Sequence, residues 1–540
     1  MLTQHLKKCF ILLILISKGI THCEQETCSK DDSSDSCSQL IVETLEGKVR
    51  GSFLKSTKGR EFYAFRRIPY AEPPINEKRF KLAERKQPWD DILDATKSSK
   101  VCPQPEILHR RSQMSEDCLY LNVYTRRLSK VAPVIVYIHS GLYYFGSGHI
   151  DLAGPQYLMD SNVVLVTLNY RLGALGLAST KGKDIPGNLA LKDIVLGLKW
   201  IQANIENFGG DASKVTIMGG MAANDLVISP MARDLFHKAV IMGEASTTHS
   251  KANNKELTKL LGENIHSSWE KIIETCASWN KKYFIPRLFF KPEAEVDFGQ
   301  ERIFKKHPRA LMSSGEFAKV PILIGMTKHE YEYLGEVLYE DDYFIKDFHT
   351  NFEDFAPFLF DYKTGYTRSH VKNITNAIKV HYFKNRNKYN SDNKRYIGEA
   401  LSDLYVTHGV NRFISYARKF KGNVFAYQFD YQGKYTLALG MGKDKVKGVF
   451  HGDDLMYILQ SRKHKFFTSD VEYKMVEKMT NILAHFADTG NPNYKDISVQ
   501  WEPTTKYLMT VMIINERLTP SKDFAFDSGY EEFDRIFNIK

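Results

Sequence analysis

Two short segments place glycines and polar side chains directly after strongly apolar runs. Residues 139–142 (HSGL) follow the run that ends at Ile138, and residues 219–224 (GGMAAN) follow the run that ends at Met218. The first segment offers a serine hydroxyl, a group that can act as a nucleophile when a base activates it. The second offers only a thioether, which has no proton to give to a general base. Both segments are candidate positions for chemistry if the runs before them are neighbouring strands.

Three runs that are rich in β-branched residues set the expected architecture: 131–139 (VAPVIVYIH), 163–169 (VVLVTLN) and 215–218 (VTIM). Continuous apolarity is typical of parallel strands that are covered on both faces. Between the second and third runs, apolar residues recur at helical spacing, which predicts a helix over 188–205. Strand, helix and strand together predict a doubly wound α/β sheet, with function at the carboxyl ends of its strands.

Composition narrows the class of protein. The chain has 540 residues, of which 43% are hydrophobic and 26% are charged, and this balance excludes disordered and collagen-like chains. The net charge of +10 comes from interleaved basic and acidic residues, so we interpret it as a solvated surface and not as a nucleic-acid site. The sequence shows no metal-binding, Walker or Rossmann motif, and therefore no cofactor and no metal are expected.

The first 40 residues differ from the rest. Lys7 and Lys8 precede an apolar run over 9–16, which predicts a secretory signal peptide over 1–23 and a secreted, extracellular protein. An acidic, Ser-rich tether is expected over 24–40, and the absence of linkers or repeats predicts one domain over 41–540. No membrane anchor is readable, and the sequon at Asn373 is a candidate glycosylation site.

Five cysteines remain after the expected signal peptide. Two close pairs, Cys28 with Cys37 and Cys102 with Cys118, are the easiest loops to close in an oxidising compartment. Cys276 is left over, either as a buried thiol or as one partner of an intermolecular bridge.

Several longer motifs resemble those of the type-B carboxylesterase and cholinesterase family, which has the α/β-hydrolase fold. They keep the family's order and cover nearly everything from Ile41 to about Tyr507: 68–74 (IPYAEPP), 116–124 (EDCLYLNVY), 169–173 (NYRLG), 186–188 (PGN), 208–211 (FGGD) and 489–492 (TGNP). The resemblance implies a large, mostly parallel central sheet with helices on both faces. It also implies a Cys102–Cys118 disulfide.

The resemblance further implies a nucleophile on a sharp turn with the pattern G-E-S-A-G-G. This chain has GGMAAN there, so Met221 stands at the position of the nucleophilic Ser. Glu330 matches the expected triad acid, although Tyr331 follows it where the family usually has Gly. His451 matches the expected base. With the Ser absent, we favour a structural hydrogen-bonded pair for Glu330 and His451 over a catalytic one.

The oxyanion hole, which the family uses together with the catalytic triad, also departs from the family pattern. The family's H-G-G-G turn is His139-Ser140-Gly141-Leu142 here, so two of its three glycines are changed. Leu142 brings a branched side chain to a turn whose amides must approach the substrate closely. Gly141 and the amide of Ala222 could still donate, and the hydroxyl of Ser140 is not expected to align with His451.

The leading hypothesis is a secreted, catalytically impaired carboxylesterase-like protein, comparable to the cholinesterase-like adhesion proteins. It would act by binding an extracellular protein partner or a small apolar ligand. The tyrosines over 331–343 either line the aromatic gorge of the family or pack in the core. The competing hypothesis is an active carboxylic-ester hydrolase that uses an atypical nucleophile, or one in which Met221 is a sequence artefact of Ser.

Overall fold

The computed structural model describes residues 40–245, 252–279, 290–340, 342–360, 362, 366–384, 394–420, 423–438, 447–522 and 534–537. The predicted signal peptide and most of the predicted tether lie outside these ranges. The described strands are β1 Ile41–Glu43, β2 Lys48–Arg50, β3 Ser52–Lys55, β4 Glu61–Pro69, β5 Leu93–Asp94, β6 Tyr120–Thr125, β7 Ala132–Ile138, β8 Val164–Leu168, β9 Gly210–Gly219, β10 Lys238–Met242, β11 Ile322–Thr327, β12 Val424–Phe429, β13 Val511–Ile514 and β14 Leu518–Ser521.

Eleven of these strands form one sheet in the order β14-β13-β12-β11-β10-β9-β7-β8-β6-β4-β3. The seven consecutive strands of the sheet from β13 to β8, which include β7, are parallel to one another. At one end, β14 is antiparallel to β13, and at the other end β6, β4 and β3 are each antiparallel to the preceding strand of the sheet. Strands β1, β2 and β5 form a separate small sheet. The predicted doubly wound sheet is confirmed, with β7, β8 and β9 at the three predicted runs.

Two apolar cores lie on the two faces of the large sheet. Along β7, Val134, Val136 and Ile138 belong to one core, whereas Ile135 and Tyr137 belong to the other. Successive side chains of a strand point to opposite faces, so a strand that is apolar throughout serves both cores. The continuous run in the sequence is thereby explained.

Helices cover both faces of the sheet. They are α1 Gly173–Leu177, α2 Leu189–Asn204, α3 Met221–Ile228, α4 Asn254–Leu261, α5 Trp269–Ser278, α6 Pro308–Ser313, α7 Tyr333–Tyr339, α8 Asp342–Thr350, α9 Phe352–Leu359, α10 Arg368–Phe383, α11 Arg395–Ser402, α12 His408–Ala417 and α13 Tyr473–Thr489. Helix α2 confirms the predicted helix, but it begins after Asn188, whose φ of 53° is left-handed and not helical. In the parts of the chain that the structure describes, no helix is long and apolar enough to cross a membrane.

The position of the candidate site follows from the strand order. Strands β7, β9, β10 and β11 are neighbours and run parallel, so their carboxyl ends lie along one edge of the sheet. The segments after Ile138, Gly219, Met242 and Thr327 therefore meet there. A third apolar cluster, formed largely by residues of α7 to α11, contributes Tyr333 and Phe450 close to this edge.

Candidate active site

A sharp turn connects β9 to α3 without an intervening loop. The strand ends at Gly219, and Met221 is already the first residue of the helix. Gly219 must be small, because a Cβ atom there would lie 2.2 Å from the carbonyl oxygen of Ile138. The side chain of Met221 is half-buried and packs against the core. The structure thus forms the predicted strand-to-helix turn with a thioether at its tip.

The predicted acid and base lie in direct contact. Nδ1 of His451 is 2.6 Å from Oε2 of Glu330, and Glu330 is only 2% exposed. The backbone also joins the two residues, since the amide of His451 donates to the carbonyl oxygen of Glu330. The amide of Thr327 donates to Oε1 of Glu330 at 2.6 Å. The structure therefore brings together the two residues that the resemblance selected and holds them by main-chain as well as side-chain bonds.

A second carboxylate, Glu244, lies on the other side of the imidazole. Its Oε1 is 3.5 Å from Nε2 of His451, and its Oε2 accepts a hydrogen bond of 2.9 Å from the amide of Met221. Glu244 is 2% exposed. Burial disfavours the charged imidazole, but the carboxylates of Glu330 and Glu244 outweigh burial and raise the pKa of His451 well above its usual value. The imidazole of His451 therefore lies between two buried carboxyl groups that favour its charged form.

Sequence reasoning missed Glu244, although a signal for it exists. The residue follows the apolar run of β10 and Gly243, so it occupies the carboxyl end of a strand, as the other site residues do. Gly243 has a φ of 64° and would place a Cβ atom 3.1 Å from the imidazole of His451. A glycine and an acid after a buried parallel strand could have marked this position.

The turn after β7 is tightly folded around Gly141. Gly141, Leu142 and Tyr143 have φ values of 116°, 55° and 59°, and a Cβ atom on Gly141 would lie 2.1 Å from the carbonyl oxygen of Phe145. Left-handed backbone is strained for residues other than glycine, and tertiary contacts must hold it in place. One such contact is the hydrogen bond of 2.5 Å that the hydroxyl of Tyr143 donates to Asp225 on α3. Leu142 is half-buried beside Tyr143, and Ala222 is the second residue of α3.

Aromatic rings pack around the acid–base pair. Tyr331 stacks on His451 with ring centroids 4.7 Å apart, and Tyr333 packs edge-on against Phe450. Burial raises the pKa of Tyr331 well above its usual value, so its hydroxyl stays neutral. Tyr331 therefore lines the site, whereas Tyr333 is 6% exposed and belongs to the core.

The two predicted disulfides have different outcomes. The Cys102–Cys118 disulfide is present, with Cα atoms 5.0 Å apart. It closes the loop that precedes β6. The other predicted pair does not fall within the part of the chain that the structure describes, because Cys28 and Cys37 both precede residue 40. A bridge between Cys28 and Cys37 therefore stays a prediction.

The odd cysteine and the sequon both lie on described helices. Cys276 is 6% exposed on α5, which suits the buried-thiol alternative, and burial raises its pKa to about 12. Asn373 is exposed on α10 and stays a predicted glycosylation site.

The strand-to-helix turn over 219–221, which carries Met221 at its tip, is called the elbow below. The doubly wound sheet, this elbow at the end of β9 and the acid–histidine pair beside it define an α/β-hydrolase. The chain belongs to the carboxylesterase family, whose model matches residues 38–530. The chain is similar to esterase FE4 of Myzus persicae, with 33% identity over 503 residues, 86% of this chain and 87% of that protein. It is also similar to the juvenile hormone esterase of Tribolium castaneum, with 31% identity over 501 residues and 84% of each chain.

A solved structure supports the same assignment. The crystal structure of juvenile hormone esterase from Manduca sexta with OTFP covalently attached matches with a TM-score of 0.82 and 28% identity. The match covers 92% of this chain and 99% of that chain. Hydrolysis of carboxylic esters is thus the kind of reaction that this family supports.

Proposed function

We propose that this carboxylesterase-family protein is a secreted binding protein that does not hydrolyse esters at the rate of an esterase. One observation carries the proposal: the residue at the tip of the elbow is Met221, whose thioether cannot form an acyl-enzyme ester. Loss of the triad Ser in a serine hydrolase leaves on the order of 10³ to 10⁴ over the uncatalysed rate, far below ordinary turnover.

The environment of the elbow supports this proposal. The half-buried Met221 at the elbow and the Tyr331 ring stacked on His451 give the site a partly apolar lining, and the His451 side chain keeps 21% of its surface exposed. A small apolar ligand, such as an uncleaved ester, suits that lining. An extracellular protein that contacts the outer surface is the other class of partner.

The competing hypothesis of an active hydrolase draws on the relatives, several of which bear the names of esterases. Ser140 offers a hydroxyl close to the elbow, because a Cβ atom on Gly220 would lie 2.8 Å from its Oγ. It lies on the turn after β7 and not on the elbow itself. Activity that depends on Ser140 would favour this hypothesis.

A hydrolysis assay with purified full-length protein tests the proposal. We expect p-nitrophenyl acetate and p-nitrophenyl butyrate to be hydrolysed at the same low rate by the unmodified protein, by Ser140→Ala and by Met221→Ala. Turnover at an ordinary esterase rate, about 10 per second, would contradict the proposal. Loss of that turnover in Ser140→Ala would then identify the nucleophile. Quenching of tryptophan and tyrosine fluorescence by p-nitrophenyl butyrate would measure binding without cleavage.

A further inference from the structure

Glu244 fills a space that the family pattern assigns to another side chain. The pattern G-E-S-A-G-G has an acid immediately before the nucleophile, and this chain has Gly220 there. A Cβ atom built on Gly220 would lie 2.4 Å from Oε2 of Glu244. Atoms cannot approach so closely, so any side chain at position 220 would displace the carboxylate. Gly220 and Glu244 therefore fit each other, and the position of the carboxylate depends on the glycine.

The buried carboxylate has partners that stabilise its charge. The amide of Met221, at the N-terminus of the eight-residue helix α3, donates to Oε2, and the imidazole of His451 faces Oε1. A helix N-terminus favours a negative charge, and an ion pair offsets part of the penalty of burial. The charge of Glu244 is thus accommodated by the elbow and by the base together.

The Nε2 atom of His451 is the atom that a catalytic histidine uses. A general base must accept the proton of the nucleophile on this nitrogen while Nδ1 is held by the acid. Here Nδ1 of His451 lies 2.6 Å from Glu330, and Nε2 of the same ring faces Glu244. An imidazolium that carries a proton on Nε2 has no lone pair for a hydroxyl.

We propose that Glu244 is a positioning residue that takes the nucleophile's place beside His451 and blocks ester hydrolysis independently of Met221. The proposal deepens the proposed function and rests on it. It predicts that restoring the serine alone is insufficient, because Nε2 of His451 would still face the carboxylate of Glu244. The elbow is then blocked twice, once by the missing hydroxyl and once by the carboxylate.

A titration of the histidine tests the charge that Glu244 imposes. Other ionisable groups near the ring are Glu330, Tyr331 and Asp454, and they stay unchanged in Glu244→Gln. Selective carbon-13 labelling of the 17 histidines, with assignment by His451→Asn, follows the ring by NMR. We expect the His451 midpoint to fall by at least about one pH unit in Glu244→Gln.

The matched control is Glu399→Gln, which removes a partly buried carboxylate whose ion-pair partner is Arg395. It should leave the His451 midpoint unchanged. An unchanged midpoint in a folded Glu244→Gln would overturn the proposal. If Glu244→Gln fails to fold, Glu244→Ala, which removes the carboxylate and leaves no polar side chain at position 244, gives the same comparison.

Covalent labelling tests whether Glu244 blocks the reaction independently of Met221. A fluorophosphonate probe should label Met221→Ser slowly, and Met221→Ser/Glu244→Ala at least about 100-fold faster, because the second change frees Nε2. Equal labelling of the single and double variants would contradict the proposal. No labelling of either variant would also overturn the block by Glu244, even if the midpoint falls in Glu244→Gln. Labelling of the unmodified protein would instead contradict the proposed function, so the two failures are distinguishable.

Discussion

The two halves of the candidate site differ in what they retain. The acid–base half, Glu330 and His451, has the residues that the family resemblance implies, in hydrogen-bond contact. The nucleophile half departs from the family pattern at Ser140, Leu142 and Met221 and contains the buried carboxylate of Glu244. Both halves lie at the same edge of one sheet, so their difference is not a matter of position in the fold.

The difference teaches which residues the fold itself needs. A main-chain hydrogen bond joins Glu330 to His451, and the neighbouring Asp453 accepts hydrogen bonds from the amides of Leu437 and Phe450. Removing such buried acceptors leaves donors unsatisfied, which is expensive in any folded protein, active or not. The serine that the family pattern places at the elbow is the nucleophile of the reaction. If catalysis were lost, selection for a stable fold would thus keep the residues of the acid–base half, whereas the residues of the nucleophile half could change.

The largest expected effect breaks the acid–base half. Glu330→Ala removes the acceptor of both the Thr327 amide and the His451 ring, and breaking a buried ion pair costs about 3 to 5 kcal/mol. Urea denaturation measures the free energy of unfolding, with Glu77→Ala as the control because Glu77 is exposed. A cost below about 1 kcal/mol for Glu330→Ala would show that the pair has no structural role.

A smaller effect tests the fit inside the nucleophile half. Gly220→Ala places a methyl group 2.4 Å from Oε2 of Glu244, and overpacking of this kind costs about 1 to 3 kcal/mol. Adding Glu244→Ala should remove most of that cost, which the double-mutant cycle would report as coupling. Gly182→Ala is the control, because its Cβ atom meets only Thr180, at 3.3 Å. Additive costs for the two substitutions would contradict the fit.

The pH dependence of stability joins the two halves. The folded-state pKa of His451 is raised above its unfolded value, so its contribution is fully present below about pH 6.5 and is lost as the pH rises through the folded-state pKa. The unmodified protein should therefore exceed Glu244→Gln in unfolding free energy by more at about pH 6 than at about pH 10. Thermal or urea unfolding at several pH values measures this, and a difference that grows with pH would be the wrong sign.

The smallest effect concerns Met221 itself. Met221→Leu conserves volume and polarity, so we expect a change of less than about 1.5 kcal/mol in unfolding free energy and no change in ester turnover. The contrast with Glu330→Ala sharpens the comparison, because it sets a half-buried side chain that tolerates exchange against a buried acid that the fold needs. A drop in turnover for Met221→Leu would mean that the thioether takes part in chemistry.

Much of this arrangement was predictable from the sequence. The runs that became β7, β8 and β9 are continuous and apolar because each strand is buried on both faces, and that signal is local. The pairing of Glu330 with His451 and of Cys102 with Cys118 followed from the order of family motifs. These features are either periodic patterns or positions anchored by specific motifs.

Glu244 could not be found in the same way. Its place after the buried strand β10 could have put it at this edge of the sheet, but its spacing does not indicate that it contacts Met221 and His451. The contact arises only because β9 and β10 are adjacent and parallel and because Gly220 leaves room. The left-handed backbone of Leu142 and Tyr143 likewise depends on packing and on the hydrogen bond to Asp225.

The most direct test of the central claim is the intact mass of the purified, unmodified protein after exposure to a fluorophosphonate probe. The account predicts no covalent adduct, because Met221 offers no hydroxyl at the elbow and both ring nitrogens of His451 face carboxylates, those of Glu330 and Glu244. One adduct per chain, mapped by peptide analysis to Ser140 or to another hydroxyl at this edge, would contradict it.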